Sequence, residues 1–179
     1  MDKDIFILSA RPSNNNQTIL KSSGSGAETL WDLRLIKSSS VSKTGKLEFR
    51  LNNSLTGSLA IADNAISMST DYFSLKDGKL WNVLLTRQTS SINETTQSYK
   101  LYLGKQKRDA ISEFTSASMT TINTKAIDNF RGTGSLNHAA TGSISNAGGN
   151  LVVGESFSGS LADIRAWSGS LSASKFKQH

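Results

Sequence analysis

Hydrophobic positions in this chain alternate with polar ones far more often than they recur every three or four residues. In KLEFRLN (46–52), Leu47, Phe49 and Leu51 share one parity while Lys46, Glu48 and Arg50 share the other. That is the period-2 signature of a strand with one face buried and one in water. ETLWDLRLIK (28–37) repeats it with Trp31, Leu33 and Leu35 against Asp32 and Arg34, and SYKLYLG (98–104) with Tyr99, Leu101 and Leu103. KLWNVLLTR (79–87) is apolar on both parities, Trp81, Val83 and Leu85 against Leu80 and Leu84, and so belongs in the middle of a sheet. DIFILS (4–9) reads as a short run buried on both faces. GSLAIA (57–62), AISMS (65–69), NLVVG (150–154) and GSLADIRAW (159–167) supply further strands.

Polar, Gly-punctuated stretches separate these runs. PSNNNQ, KSSGSGAE and KSSSVSKTG read as loops, and residues 120–149, ending in HAATGSISNAGGN, as one long extended loop. No repeat of fixed period is visible, and no strand–helix alternation favours a parallel sheet. The rhythm predicts an all-β fold: an antiparallel two-sheet β-sandwich with a short C-terminal helix, as one domain over residues 1–179.

The C-terminal stretch adds detail. In GSLADIRAW, Ile164 and Ala166 share a parity that Leu161 does not, so a β-bulge is expected near Ala162–Asp163 to restore the phase. Gly154 and Gly159 bracket a turn centred on Glu155, with Phe157 placed to plug the core. Ser172 is a good N-cap, and Leu171 and Phe176 fit a hydrophobic staple around it. The chain stops at His179 in what reads as the middle of that helix, which predicts a natural chain or assembly that continues.

Composition changes this picture in three ways. No cysteine occurs, which excludes disulfides and thiolate metal sites and leans the source towards a microbial, viral or cytosolic one. The start, MDKDIFILSA, puts acids before a short apolar run, so no signal peptide is expected. No apolar run approaches a membrane span, so a soluble chain without membrane insertion is expected. The net charge of +6 invites a nucleic-acid reading, but the cations are scattered. The densest group, Lys105, Lys107 and Arg108 in GKQKRD, contains no aromatic for base stacking. It reads as a solvated loop, and no nucleic-acid partner is expected.

LVVG followed by FSGSLADIRAWSGSLSASKF resembles the end of laminin G-like and pentraxin-like domains. LWNVLLTR followed by YKLYLGK is similar to their central strand pair. The N-terminal half shares only strand rhythm. The resemblance implies a concanavalin A-like jelly roll and binding more often than catalysis. Such domains recognise sugars or proteins through rim loops, some through calcium, and similar modules recur in surface proteins and in phage tail or capsid proteins.

The chemistry-bearing residues fit a non-enzyme. His138 lies in the long loop and His179 is terminal, so no Ser-His-acid triad is expected. Glycosidases built on the same jelly roll need two carboxylates across the sugar bond. Their Glu-x-Asp-x-x-Glu signature is missing, and Glu48 has no acid at i+2 or i+4. SLKDGKLW (74–81) looks like an Asp box but carries Lys76 at the acid position, so Lys76-Asp77-Gly78 reads as a turn before a core strand. Calcium is the one cofactor the pattern leaves open. Asp63 and Asn64, Asp71, and Asp128 with Asn129 offer oxygens but no dense acidic loop, so no metal ligand is named. Trp31, Trp81 and Trp167 sit at core-like positions. Tyr72, Phe73, Phe114 and Phe130 stand nearer loops, and Tyr72, Phe73 and Phe130 are the candidates for a ligand-binding rim.

The expected function is a non-catalytic structural or adhesive module at a virion or cell surface, with other protein subunits as partners. The second reading is a carbohydrate-binding module using rim loops 71–78 and 128–149. The third is a cryptic glycosidase whose acid pair comes together in space and is not visible in the sequence.

Overall fold

The computed structural model describes residues 3–11, 15–23, 29–38, 43–51, 66–89, 96–107, 110–122, 151–167 and 172–177. Ten strands appear among them: β1 (Lys3–Ala10), β2 (Gln17–Ser23), β3 (Thr29–Lys37), β4 (Gly45–Leu51), β5 (Ile66–Ser69), β6 (Trp81–Thr89), β7 (Thr96–Lys107), β8 (Ala110–Ile122), β9 (Leu151–Val153) and β10 (Gly159–Trp167). One helical turn, Ala173–Phe176, follows. The strands form two five-stranded sheets, ordered β10-β1-β6-β7-β8 and β5-β4-β3-β2-β9, with antiparallel pairing throughout. The all-β two-sheet expectation holds. No described helix is long and apolar enough to cross a membrane.

The alternating strands do what their periodicity dictates. β4 alternates buried and half-buried residues along its whole length. β6, which read as apolar on both parities, is the central strand of its sheet, but Leu80 lies outside it and is half exposed, and Asn82 and Thr86 share the parity of Leu84. Trp81, Val83 and Leu85 from β6 meet Leu33, Leu35, Leu47 and Phe49 of the other sheet in one buried core, joined by Leu8, Leu101 and Leu103. Phe49 ties the sheets together, with its ring centroid 5.9 Å from Trp31 and 5.4 Å from Tyr99. Burial pushes the Tyr99 hydroxyl up to about 12, against the lowering effect of Arg87. In β1, Leu8 is buried, while the side chains of Ile5, Phe6 and Ile7 lie outside the described residues.

Two strands were not legible beforehand. β2 takes in Lys21–Ser23, which had read as loop, and a bulge between Thr18 and Leu20 sends the adjacent Ile19 and Leu20 both into the core. β8 takes in Thr120–Ile122 from the expected long loop. Its inward positions are Thr115, Ala117 and Met119, only one of them large and apolar, too weak an alternation to mark a strand. Likewise β7 runs on to Lys107, so Lys105 and Lys107 belong to a strand and not to a solvated loop. GSLAIA and the rest of the long loop lie outside the described residues.

The bulge in β10 is present. Ile5 pairs with Arg165 and Ile7 with Ala162, so one extra residue sits between them, and Asp163 takes φ 56°. It turns Leu161 onto the core but leaves Ile164 exposed, contrary to the expectation that both point inward. Gly159 closes against β1, where a Cβ would meet the Ser9 carbonyl oxygen at 2.3 Å. Phe157 packs on the core as expected. Trp167 ends β10, with its side chain outside the described residues.

Ser172 caps the helix, its hydroxyl accepting from the Lys175 N–H at 3.3 Å. Phe176 is fully buried, but not between the sheets. It sits in a second cluster with Leu84 and Tyr102, and Phe114 and Ala173 pack against it. A bulge at Lys105/Gln106 shifts Ile111 beside Gly104, where an added Cβ would meet Ile111 at 2.6 Å and Phe176 at 3.3 Å. The helix therefore covers the outer face of the first sheet. Leu171 lies outside the described residues.

Candidate functional site

Residues Thr70–Leu80 link the edge of one sheet to the centre of the other, and the surface they build lies where β5 packs against β8. Paired hydrogen bonds between Gly45 and Phe73, each 2.9 Å, clamp this connection to β4. Thr70 adds a second clamp: its hydroxyl accepts from the Leu47 N–H at 3.0 Å and donates to the Asp71 carbonyl at 3.0 Å. Leu75 is buried beneath.

The clamp sorts the two neighbouring aromatics. Phe73 turns inward, half-buried, with its ring edge-on to Trp81 at 5.9 Å. It packs against the core between the sheets. Tyr72 turns outward and is 51% exposed, with the Lys46 ammonium 5.5 Å from its ring centroid. Lys46 Nζ also donates to Ser69 Oγ at 3.1 Å, and Asp71 Oδ2 accepts from Thr115 Oγ1 at 3.4 Å. Tyr72, Lys46, Ser69 and Asp71 thus combine one aromatic face, one cation and two oxygen-bearing groups. Phe130 and the partner loop 128–149 lie outside the described residues, as do His138 and His179. Phe114, the weaker aromatic candidate, is part of the cluster under the helix, with Lys177 over its ring at 4.3 Å.

Beside this surface lies a charged plug at the end of the core. Lys105 Nζ bridges Asp77 Oδ2 and Glu113 Oε1, both at 3.2 Å, and stands 5.4 Å over the Trp81 ring. Asp77 Oδ1 accepts from the Lys79 N–H at 2.9 Å, closing the expected Lys-Asp-Gly turn, with Gly78 at φ 74°. Burial works against the Asp77 charge, but hydrogen bonds from Lys79, Lys105 and Trp81 outweigh it and hold the carboxyl below its ordinary range. The bond to Asp77 is the main reason that the Lys105 ammonium is held above its own, with burial opposing and Glu113 adding.

The remaining described carboxylates are likewise engaged. On the outer face of the second sheet Asp32 accepts from Arg50 Nε at 2.9 Å, Glu48 pairs with Arg34, and Glu155 pairs with Lys21 at 2.9 Å. At the β10 bulge Asp163 pairs with Arg165 at 2.8 Å. No group of three or more His, Cys, Asp or Glu converges on a metal-sized site among the described residues. Asp71 is held by Thr115, and the other oxygens weighed for calcium lie outside those residues.

Sequence reasoning had singled out Tyr72 but not Lys46 or Ser69. Both stand on the solvent parity of their strands, and only the cross-strand pairing of Glu48 with Ser69 brings their neighbourhood together. Compared with family models, curated proteins and solved structures, the chain matches none.

Proposed function

We propose that this chain is a non-catalytic β-sandwich module, laminin G-like or concanavalin A-like in kind. In this reading it serves as a structural or adhesive part of a larger surface or virion assembly and works through contacts with other protein subunits. One observation carries the reading: every described carboxylate side chain is engaged by a cation or a hydroxyl, Asp163 by Arg165 of its own strand and the others by a group from a neighbouring element. A glycosidase needs one carboxyl kept protonated and a second one across a sugar-sized gap. Acids spent on holding strands and turns together do neither task.

A second reading, carbohydrate binding, is favoured by one arrangement. Exposed Tyr72 offers a flat face, with Lys46, Ser69 and Asp71 beside it as hydrogen-bonding groups. A glycan panel with and without calcium separates the readings when retention and reducing-end release are both measured. The contact-module reading expects neither, together with co-sedimentation with a protein subunit of the native assembly. Retention that Tyr72→Ala abolishes supports the second reading, and release of reducing ends overturns both.

A further inference from the structure

A glycine that follows an aspartate leaves the amide nitrogen between them unshielded, because no Cβ stands beside it. The chain has one Asp-Gly pair, Asp77-Gly78, and no Asn-Gly pair. Elsewhere among the described aspartates a side chain stands next to that nitrogen: Ile5 after Asp4, Leu33 after Asp32, Tyr72 after Asp71 and Ile164 after Asp163. Gly78 is exposed at φ 74°, and an added Cβ there would have nothing within 4 Å among the described residues. The turn that opens the Gly78 nitrogen also confines the carboxyl beside it. Asp77 Oδ1 accepts from the Lys79 N–H at 2.9 Å and lies 3.5 Å from Trp81 Nε1, and Oδ2 is 3.2 Å from Lys105 Nζ. Glu113 holds Lys105 from its other side, also at 3.2 Å. These partners favour the ionised carboxylate, which is a poor electrophile, and fix its orientation.

We propose that Asp77-Gly78 is a modification site at which Asp77 converts to isoaspartate, and that Lys105 sets the rate. The Gly78 nitrogen attacks Asp77 Cγ. An N–C bond forms, a C–O bond of the protonated carboxyl breaks, and its hydroxyl leaves as water with the amide proton. The five-membered imide then takes up one water. Opening at the former side-chain carbonyl restores aspartate, and opening at the main-chain carbonyl gives isoaspartate. The attack needs a neutral carboxyl turned towards the nitrogen, so the bond from Lys105 must break first. The product keeps its charge, but its main chain is one methylene longer and its carboxylate sits on a shorter branch. Lys105 and the Lys79 N–H then lose an acceptor placed for them, and the connection that carries Tyr72 loosens at its Lys79–Leu80 end.

The proposal stands apart from the choice of partner for the module. Storage of the whole chain at neutral pH over weeks tests it, with isoaspartate counted by enzymatic methyl transfer and located by mass spectrometry. A free peptide spanning residues 74–81 gives the unprotected rate. The folded parent converts about tenfold or more slowly than the peptide, because its carboxyl is held out of the reacting geometry. Lys105→Met keeps the aliphatic stem over Trp81 but removes the ammonium, and speeds conversion by about threefold or more. Lys105→Arg retains a charged donor and keeps conversion slow. Lys21→Met removes an ion pair elsewhere and leaves the rate unchanged. Circular dichroism shows which variants are folded, and where Lys105→Met does not fold, Lys105→Gln gives the same test. Equal rates in the folded parent and the peptide, a folded Lys105 variant no faster than the parent, or isoaspartate forming first at another aspartate overturns the proposal.

Discussion

The two sheets share one core but treat their outer faces in opposite ways. The first sheet places Leu84, Tyr102 and the half-buried Phe114 under the C-terminal helix, so its central strand is buried on both sides. The second sheet faces outward with Asp32, Arg34, Glu48 and Arg50 and pairs them across strands. An apolar cover needs a further element of chain to exclude water and gains stability in proportion to the area buried. A charged cover needs no lid, but each partly buried ion depends on its partner. The first face is therefore lost when the helix leaves, and the second when one charge is removed.

Phenylalanine truncations test the first half of that contrast. Phe49→Ala opens a cavity between the sheets and costs about 4 kcal/mol, read as a lowered denaturant midpoint. Phe176→Ala costs about 2 kcal/mol, because the helix detaches and leaves no sealed cavity. Hydrogen exchange then shows loss of protection at Ala173–Lys177 while β3 and β4 stay protected. Equal, global destabilisation by both variants contradicts a helix that acts as a separable cover.

The charged face breaks differently. Asp32 is 4% exposed and is engaged by Arg50, so Asp32→Ala strands a half-buried guanidinium and costs about 2 kcal/mol. Lys21→Ala removes a pair whose acid, Glu155, is well exposed, and costs about 0.5 kcal/mol or less. Chemical denaturation of the two variants measures the difference, and an equal loss removes the distinction drawn between them.

Asn82 sharpens the apolar side. It lies beside Gly104 on the face under the helix, is 2% exposed, and neither amide atom has a hydrogen-bond partner among the described residues. Replacement by leucine of similar size removes that penalty, so Asn82→Leu is expected to stabilise by about 1 kcal/mol in thermal unfolding. The smallest effect is at the rim plug, which belongs to neither face. The Asp77 carboxyl titrates lower when folded, so its contribution is present above its unfolded value and is lost as pH falls through the acid range. The Lys105 ammonium titrates higher when folded, so its contribution is complete below its unfolded value and is lost only in strong alkali. Thermal midpoints of Asp77→Asn should thus fall less than those of the parent between pH 5 and pH 3, measured with the same buffers.

Particular strands show why legibility was uneven. β4 and β3 face water on one side only, so the contrast between their two parities survives in the residue types. β2 hid its strand because a bulge makes two neighbouring residues, Ile19 and Leu20, point the same way. β8 hid because, of its inward positions Thr115, Ala117 and Met119, only one is large and apolar, so the contrast with Ser116, Ser118 and Thr120 is weak. At the candidate site Tyr72 was legible as an aromatic near a turn. That Phe73 is its opposite, a core residue, depends on the paired bonds to Gly45 that fix which of the two faces inward.

By itself the sequence determined the strand periodicity, the two-sheet class, the helix cap at Ser172 and the bulge in β10, because these follow from neighbours a few residues apart. Only the tertiary structure decided that Phe176 closes the outer face and not the inner core, that Asp32 is buried with Arg50, and that β8 comes last in the described order of its sheet. Each of those depends on which distant strand lies alongside, and pairing between strands far apart in the chain leaves no mark in the local alternation.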